Sequence, residues 1–162
     1  MELVSVAAVG DDLAIGADGG LPWDSLPRDK AQYRRRVAGS IVILGRRTFE
    51  SMQGDLPGVI QIVLSRSARD YDVPSAHHAD GVESALEVAA TRDEDTAYVL
   101  GGAEIYELFQ PHLDRMVLSR VTGSYDGDRY YPQWKSDEWS LVAEESYPDF
   151  AVETWERQRA RR

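Results

Sequence analysis

The residue with the clearest chemical potential in this sequence is Asp29, at the end of Leu21-Pro22-Trp23-Asp24-Ser25-Leu26-Pro27-Arg28-Asp29. Two prolines and a tryptophan constrain that stretch as a loop. Pro27 suits the first position of a helix, where its missing N–H would be unpaired in any case. Asp29 then falls in the first helical turn, and two readings of it stand side by side. An acidic residue there favours the helix dipole. Alternatively it is a carboxylate at a pocket mouth, with the indole of Trp23 as a lid. Such a carboxylate can accept two parallel N–H bonds from a planar, amidine-like ligand.

A second chemistry is spread over three junctions: Gly45-Arg46-Arg47-Thr48, Ser65-Arg66-Ser67 and Gly101-Gly102-Ala103. Each follows an apolar run. In a parallel sheet all three fall at the carboxyl ends of strands, where ligands bind. Gly101-Gly102 ahead of a helix lets a phosphate approach free backbone N–H groups, and arginines pair with phosphate bidentately. Together the three point to a ligand with several phosphates. Neither G-x-G-x-x-G nor G-x-x-x-x-G-K-[ST] is present, which excludes the ordinary Rossmann and P-loop readings. His77 and His78 are adjacent and point to opposite faces of a strand. With His112 they read as surface or packing residues, and no metal is expected. The absence of cysteine excludes disulfide and thiolate chemistry.

The elements that must position these residues follow from the apolar pattern. Strands are expected at 3–9, 40–44, 59–64, 77–78, 96–100 and 115–121, with a terminal hairpin of 139–146 and 151–159. Helices are expected at 27–37, with Tyr33 and Val37 inward and Arg34, Arg35 and Arg36 solvated, and at 46–52 and 103–109. Another is expected at 80–91, with Val82, Leu86 and Ala89 or Ala90 inward. Residues 13–20 read as an irregular Gly-rich loop and 125–132 as an aromatic, acidic connection. Strands alternate with helices through the first two thirds, so the fold class is α/β, a parallel sheet with an antiparallel edge. With 162 residues, 43% of them apolar, one domain over 1–162 with a real core is expected. No apolar run approaches the ~20 residues that span a bilayer, and 3–9 reads as a first strand rather than a signal peptide. A net charge of −10 repels nucleic acid. A cytoplasmic monomer without nucleic-acid or membrane partners is the resulting expectation.

Ala7-Ala8, Ile15-Gly16, Leu21-Pro22-Trp23, Leu26-Pro27-x-Asp29, Leu44-Gly45-Arg46-Arg47-Thr48-Phe49-Glu50-Ser51, Leu56-Pro57-Gly58, Leu64-Ser65, Leu100-Gly101-Gly102-Ala103-Glu104-Ile105-Tyr106 and Gly127-Asp128, taken in order, resemble dihydrofolate reductase. The resemblance implies a central eight-stranded, mainly parallel sheet with an antiparallel C-terminal edge and about four flanking helices. It implies NADPH-dependent reduction of 7,8-dihydrofolate to 5,6,7,8-tetrahydrofolate, with hydride to C6 and protonation at N5 assisted by Asp29. By the same resemblance Asp29 holds the pterin through its 2-amino group and N3, and Ser119 orients Asp29. Trp23 belongs to a mobile loop that closes over both ligands. Val6, Ala8, Tyr33, Met52, Leu56 and Leu100 line the substrate pocket. The cofactor meets Ala8, Ile15, Gly16, Gly20 and Leu21, then Gly45, Arg46, Arg47 and Thr48. Ser65 and Arg66 lie on its adenosine side, and Gly101, Gly102, Ala103, Glu104, Ile105 and Tyr106 complete the set. One departure stands out: Val59 occupies the place of an arginine that pairs with the α-carboxylate of the substrate's glutamate tail, leaving Arg34 or Arg35 to hold the tail. Two rivals remain at this point, a riboflavin-pathway reductase of the same fold and a non-catalytic dinucleotide-binding module.

The charge pattern carries a separate expectation. There are two lysines against 16 arginines, and 16 aspartates among the 28 acids. Like charges repel across such a surface, so the sequence predicts a halophilic protein of a high-salt cytoplasm.

Overall fold

The computed structural model describes residues 1–16, 22–23, 26–67, 71–123, 125 and 127–158. In chain order the elements are β1 (Glu2–Val9), β2 (Ala14–Gly16), α1 (Pro27–Val37), β3 (Ile41–Gly45), α2 (Arg46–Ser51), β4 (Ile60–Leu64), β5 (Ala76–Ala79) and α3 (Val82–Ala90). There follow β6 (Thr96–Gly101), α4 (Ala103–Phe109), β7 (Arg115–Val121), β8 (Arg129–Tyr130), β9 (Trp139–Ser146) and β10 (Phe150–Arg157). Eight strands form one sheet in the order β5-β4-β3-β6-β1-β7-β10-β9. The pairs from β5 to β7 are parallel, and β10 runs antiparallel to both β7 and β9. The fold class is the expected one.

Both faces of the sheet are covered, which is why the inner strands are near-continuous apolar runs. In β3, Ile41 and Ile43 enter the core that contains Ala85 and Ala89 of α3 and Ile105 and Phe109 of α4. The alternate residues Val42 and Leu44 pack with Val37 of α1 and Phe49 of α2. Burying one such side chain contributes about 1.5–3 kcal/mol. The order also sets the site. From β1 the chain moves outward through β3, β4 and β5, then returns to place β6 between β3 and β1. The carboxyl ends of these strands form one edge, and the point where the order reverses is where α/β sheets take ligands.

Several local expectations are corrected. Residues 14–16 are not irregular: β2 pairs with β8 in a small second sheet, and Asp128 N donates to Gly16 O at 2.8 Å. Strands this short and this far apart in sequence leave no period to read. In α3 the buried residues are Ala85 and Ala89. Val82 and Leu86 are half-buried but pack against the same core, so with Ala89 they face inward as expected, while Ala90 is exposed. In α1 Gln32 is buried beside Val37. Arg34 is not solvated but folds back, donating from Nε to Tyr33 Oη (3.1 Å) and from Nη2 to Asp55 O (2.8 Å). The helix expected at 103–109 is α4 with those bounds, and a 3₁₀ turn over Gln110–His112 follows it.

The Leu56-Pro57-Gly58 turn demands its glycine. Gly58 has φ +70°, and a Cβ there would sit 2.6 Å from Ser40 O. Gly58→Ala should therefore lower stability by about 1–3 kcal/mol, the usual strain of a left-handed non-glycine residue. Denaturant midpoints of the two chains measure it, and equal midpoints would show that the turn relaxes freely.

Candidate functional site

The site is assembled where α1 crosses the carboxyl ends of β1, β6 and β7. Pro27 starts α1 and sets Asp29 in its first turn. Ser119 sits on β7, buried to 2% exposure, in register with Ala8 of β1. Its hydroxyl donates to Asp29 Oδ1 at 2.5 Å. A second donor reaches the same oxygen, Gln32 Nε2 at 2.9 Å. Gln32 was not among the expected site residues. The readable signal was its spacing, three residues after Asp29, which places both on one helical face.

Apolar walls flank the carboxylate. Val6, Leu26, Tyr33 and Leu100 share one cluster, and Tyr33, Met52, Leu56 and Leu100 share the next. Tyr33 and Leu100 thus join the two parts of the expected substrate pocket. Tyr106 reaches in from α4 and donates to Val6 O at 2.7 Å. Burial first, then the neighbouring Tyr131, Tyr33 and Asp29, pushes its phenol well above the usual tyrosine range. It therefore stays a neutral donor. Tyr131, also missed by sequence, has its phenol pushed up by burial. Its Oη lies 2.5 Å from Ser5 Oγ, and its ring packs 5.0 Å from that of Tyr106, so the two tyrosines brace β1 together.

The three basic or glycine junctions do share one edge. Gly45 ends β3 and Arg46 opens α2, where Arg46 Nη1 is 3.0 Å from Glu50 Oε1. Arg47 is exposed and Thr48 half-buried. Arg66 Nη2 is 3.7 Å from Glu104 Oε1, which ties the loop of Ser65 to the first turn of α4 with Ala103 and Ile105. The Gly101–Gly102 peptide is cis. Gly101 has φ +110°, and a Cβ there would lie 3.0 Å from the ring of Tyr106, so a larger residue would strain the backbone and crowd that ring. Ile15 packs against the core and Gly16 is half-buried. Gly20 and Leu21, also expected at the cofactor, lie outside the described residues.

Trp23 is buried and meets Tyr125 edge to face, ring centroids 5.5 Å apart. With Pro22, Leu26, Val121, Thr122, Tyr125, Pro148 and Asp149 it lines a cleft of about 530 Å³. Neither Asp29 nor Ser119 lines that cleft, so the convergence of polar groups on Asp29 defines the candidate site. His78 Nε2 lies 2.9 Å from Ser65 O and His77 Nε2 lies 3.0 Å from Arg92 Nη2. Both histidines brace loops. Val59 is exposed, and Arg34 reaches the carbonyl of Asp55, four residues before it in the chain.

The sequence model of the family described as dihydrofolate reductase matches residues 2–157. The chain belongs to the dihydrofolate reductase family. Dihydrofolate reductase 1 of Haloarcula marismortui is 37% identical, over 96% of this chain and 91% of its own. Dihydrofolate reductase HdrB of Haloferax volcanii is 36% identical, over 97% and 84%. Among solved structures, dihydrofolate reductase from Enterococcus faecalis, complexed with NADP(H) and RAB-propyl, superposes with a TM-score of 0.83. It is 26% identical, covering 98% of this chain and 97% of the other. The likeness spans the family's whole sheet, from β1 to the β9–β10 hairpin.

Proposed function

We propose that the chain reduces 7,8-dihydrofolate to tetrahydrofolate with NADPH, and that Asp29 is the acidic group of the reaction. The observation that carries this reading is the lone carboxylate held by Ser119 and Gln32 against the apolar wall of Val6, Tyr33 and Leu100. Oδ1 takes both protein donors, and among the described residues Oδ2 takes none. A ligand that offers an amino group and a ring N–H side by side fits such a carboxylate, and the pterin does so through its 2-amino group and N3. The negative charge then stabilises positive charge developing on the ring and favours protonation at N5. Met52 and Leu56 continue the apolar wall toward the rim. There Arg34 meets the glutamate tail, since Val59 offers no guanidinium. Trp23 and its loop exclude water when closed.

The groove fits NADPH by donor chemistry. Guanidinium groups of Arg46, Arg47 and Arg66, with the hydroxyls of Thr48 and Ser65, suit phosphates. Gly102 keeps the edge free of a side chain, with Thr48 Oγ1 3.7 Å from where a Cβ would sit, while Gly45 and Gly101 let Ile105 and Tyr106 pack close beside them; Ala8 and Ile15 complete the set. NADPH supplies the hydride when bound. Arg46 and Arg66 are paired with Glu50 and Glu104 in the free chain, and both are free to turn to a 2′-phosphate. The ratio of kcat/KM for NADPH over NADH should therefore favour NADPH by roughly tenfold to hundredfold, as for hydrogen bonds to a charged group. It should fall near unity in the double variant Arg46→Ala, Arg66→Ala. An unchanged ratio would place the discrimination elsewhere.

The activity itself is tested by loss of the NADPH absorbance on mixing with dihydrofolate, and separately with a ribosylaminopyrimidine. Oxidation with dihydrofolate alone is expected. Oxidation with the aminopyrimidine alone, or with neither, would overturn the reading.

A further inference from the structure

The buried amide of Gln32 enters the reading above only as a donor to Asp29, and its surroundings are specific. Its side chain is 7% exposed. On one side lies a carboxylate: Nε2 donates to Asp29 Oδ1 at 2.9 Å and reaches Ser119 Oγ at 3.3 Å. On the other side lies a guanidinium: Oε1 accepts from Arg36 Nη2 at 3.4 Å. This ordering of charges fixes which way the amide points. Turned over, it would set oxygen against carboxylate and N–H against guanidinium. Residues 29, 32 and 36 follow the i, i+3, i+7 spacing of one helical face, so α1 itself carries the row. Ser119 closes a triangle from β7, since its single proton goes to Asp29 and its lone pair faces Gln32.

We infer that Gln32 is the positioning residue of Asp29: with Ser119 it saturates Oδ1, fixes the plane of the carboxylate and reserves Oδ2 for the substrate. Gln32 touches neither ligand and acts through Asp29. One donor would leave the carboxylate free to turn about its Cβ–Cγ bond. Two donors on one oxygen, one from α1 itself and one from β7, hold that torsion. Arg36 in turn holds the far end of the amide, and its guanidinium strengthens the N–H as a donor. The inference rests on the reading of Asp29 as the group that binds the pterin.

Gln32→Met keeps the volume and removes the donor, while Gln32→Glu keeps the shape and the acceptor for Arg36 but offers no N–H. Each is assayed for dihydrofolate reduction, for NADPH affinity by fluorescence, and again in an Asp29→Ala background. Both variants should lose roughly tenfold to hundredfold in kcat/KM for dihydrofolate, the range of a hydrogen bond to a charged group. The loss should fall more on kcat than on KM, and the NADPH dissociation constant should stay within about twofold. In the Asp29→Ala background neither substitution should cost anything further, because the group they act through is gone. An unchanged rate in the single variants overturns the inference. So does an equal loss with and without Asp29, which would mark a purely structural role. Should Gln32→Met fail to fold, Gln32→Glu decides by the same criteria. The unsubstituted chain is the control: if it does not reduce dihydrofolate, the functional reading fails and takes the inference with it. If it does and the cycle shows no coupling, the inference alone fails.

Discussion

Asp29→Asn is expected to lower kcat/KM for dihydrofolate by about 10²–10³, the usual cost of removing one key polar group from an electrostatically organised site. The substitution keeps the shape of the side chain. The carbonyl oxygen of the new amide can still accept from Ser119 and Gln32, so α1 and β7 remain joined and the thermal midpoint should move little. What disappears is the charge facing the pterin, and with it the stabilisation of the cation that forms on protonation. NADPH affinity should be nearly unchanged, because Arg46, Arg47, Thr48, Ser65 and Arg66 lie on the β3 and β4 side of the edge, away from Ser119. Steady-state kinetics and NADPH titration measure the two halves. Turnover within a few-fold of the unsubstituted chain would remove Asp29 from the mechanism. A matching loss of NADPH affinity would mean that the variant damaged the groove as a whole.

The second large effect is on stability, with salt as the variable. Asp93, Glu94 and Asp95 are consecutive and exposed between α3 and β6, Asp137 and Glu138 precede β9, and Glu144 and Glu145 are exposed on it. Among the described residues Arg66–Glu104 is an ion pair solvated on both sides, and such a pair contributes only ~0–1 kcal/mol. Repulsion among the acids is therefore poorly offset within the chain, and we propose that it is offset by salt. The Debye length is roughly 10 Å at 0.1 M and about 3 Å at 1 M. The thermal midpoint should rise steeply with KCl, most of the gain arriving by about 1 M, where neighbouring acids no longer sense each other. Any further rise should follow the salting-out strength of the anion. Replacing these seven acids by their amides should raise the low-salt midpoint and flatten the dependence. A midpoint that is flat or falling with KCl would contradict the expectation of a high-salt protein. A neutralised chain that keeps the full dependence would contradict repulsion as its cause.

The parts of the molecule legible in the sequence were those with a repeated physical signal. Ile41 to Leu44 and Val6 to Val9 are apolar without interruption because both faces of each strand are covered. The Pro27 start of α1 was legible because proline suits only that helical position, and α1 begins there. Arg46, Ser65 and Gly101 were expected on one edge from their places after apolar runs, and the sheet order brings them there. Other features depended on distant partners. β2 exists because residues 129 and 130 lie beside it. Arg34 looked solvated because three arginines in a row usually are, yet Tyr33 Oη and the carbonyl of Asp55 draw it down. Gln32 read as one more polar residue on an exposed face. Its burial follows from the juxtaposition of Asp29 with Ser119, ninety residues away on another element. Ala85 and Ala89 take the fully buried positions of α3, and Val82 and Leu86 pack against the same core half-buried.

The most direct test of the account is where the hydride arrives. NADPH carrying deuterium at the nicotinamide C4 is incubated with dihydrofolate and the chain, and the product is examined by mass spectrometry and NMR. The account predicts tetrahydrofolate with one deuterium at C6, formed by the unsubstituted chain and only slowly by Asp29→Asn. Deuterium at another carbon, or NADPH oxidation without labelled tetrahydrofolate, would contradict it.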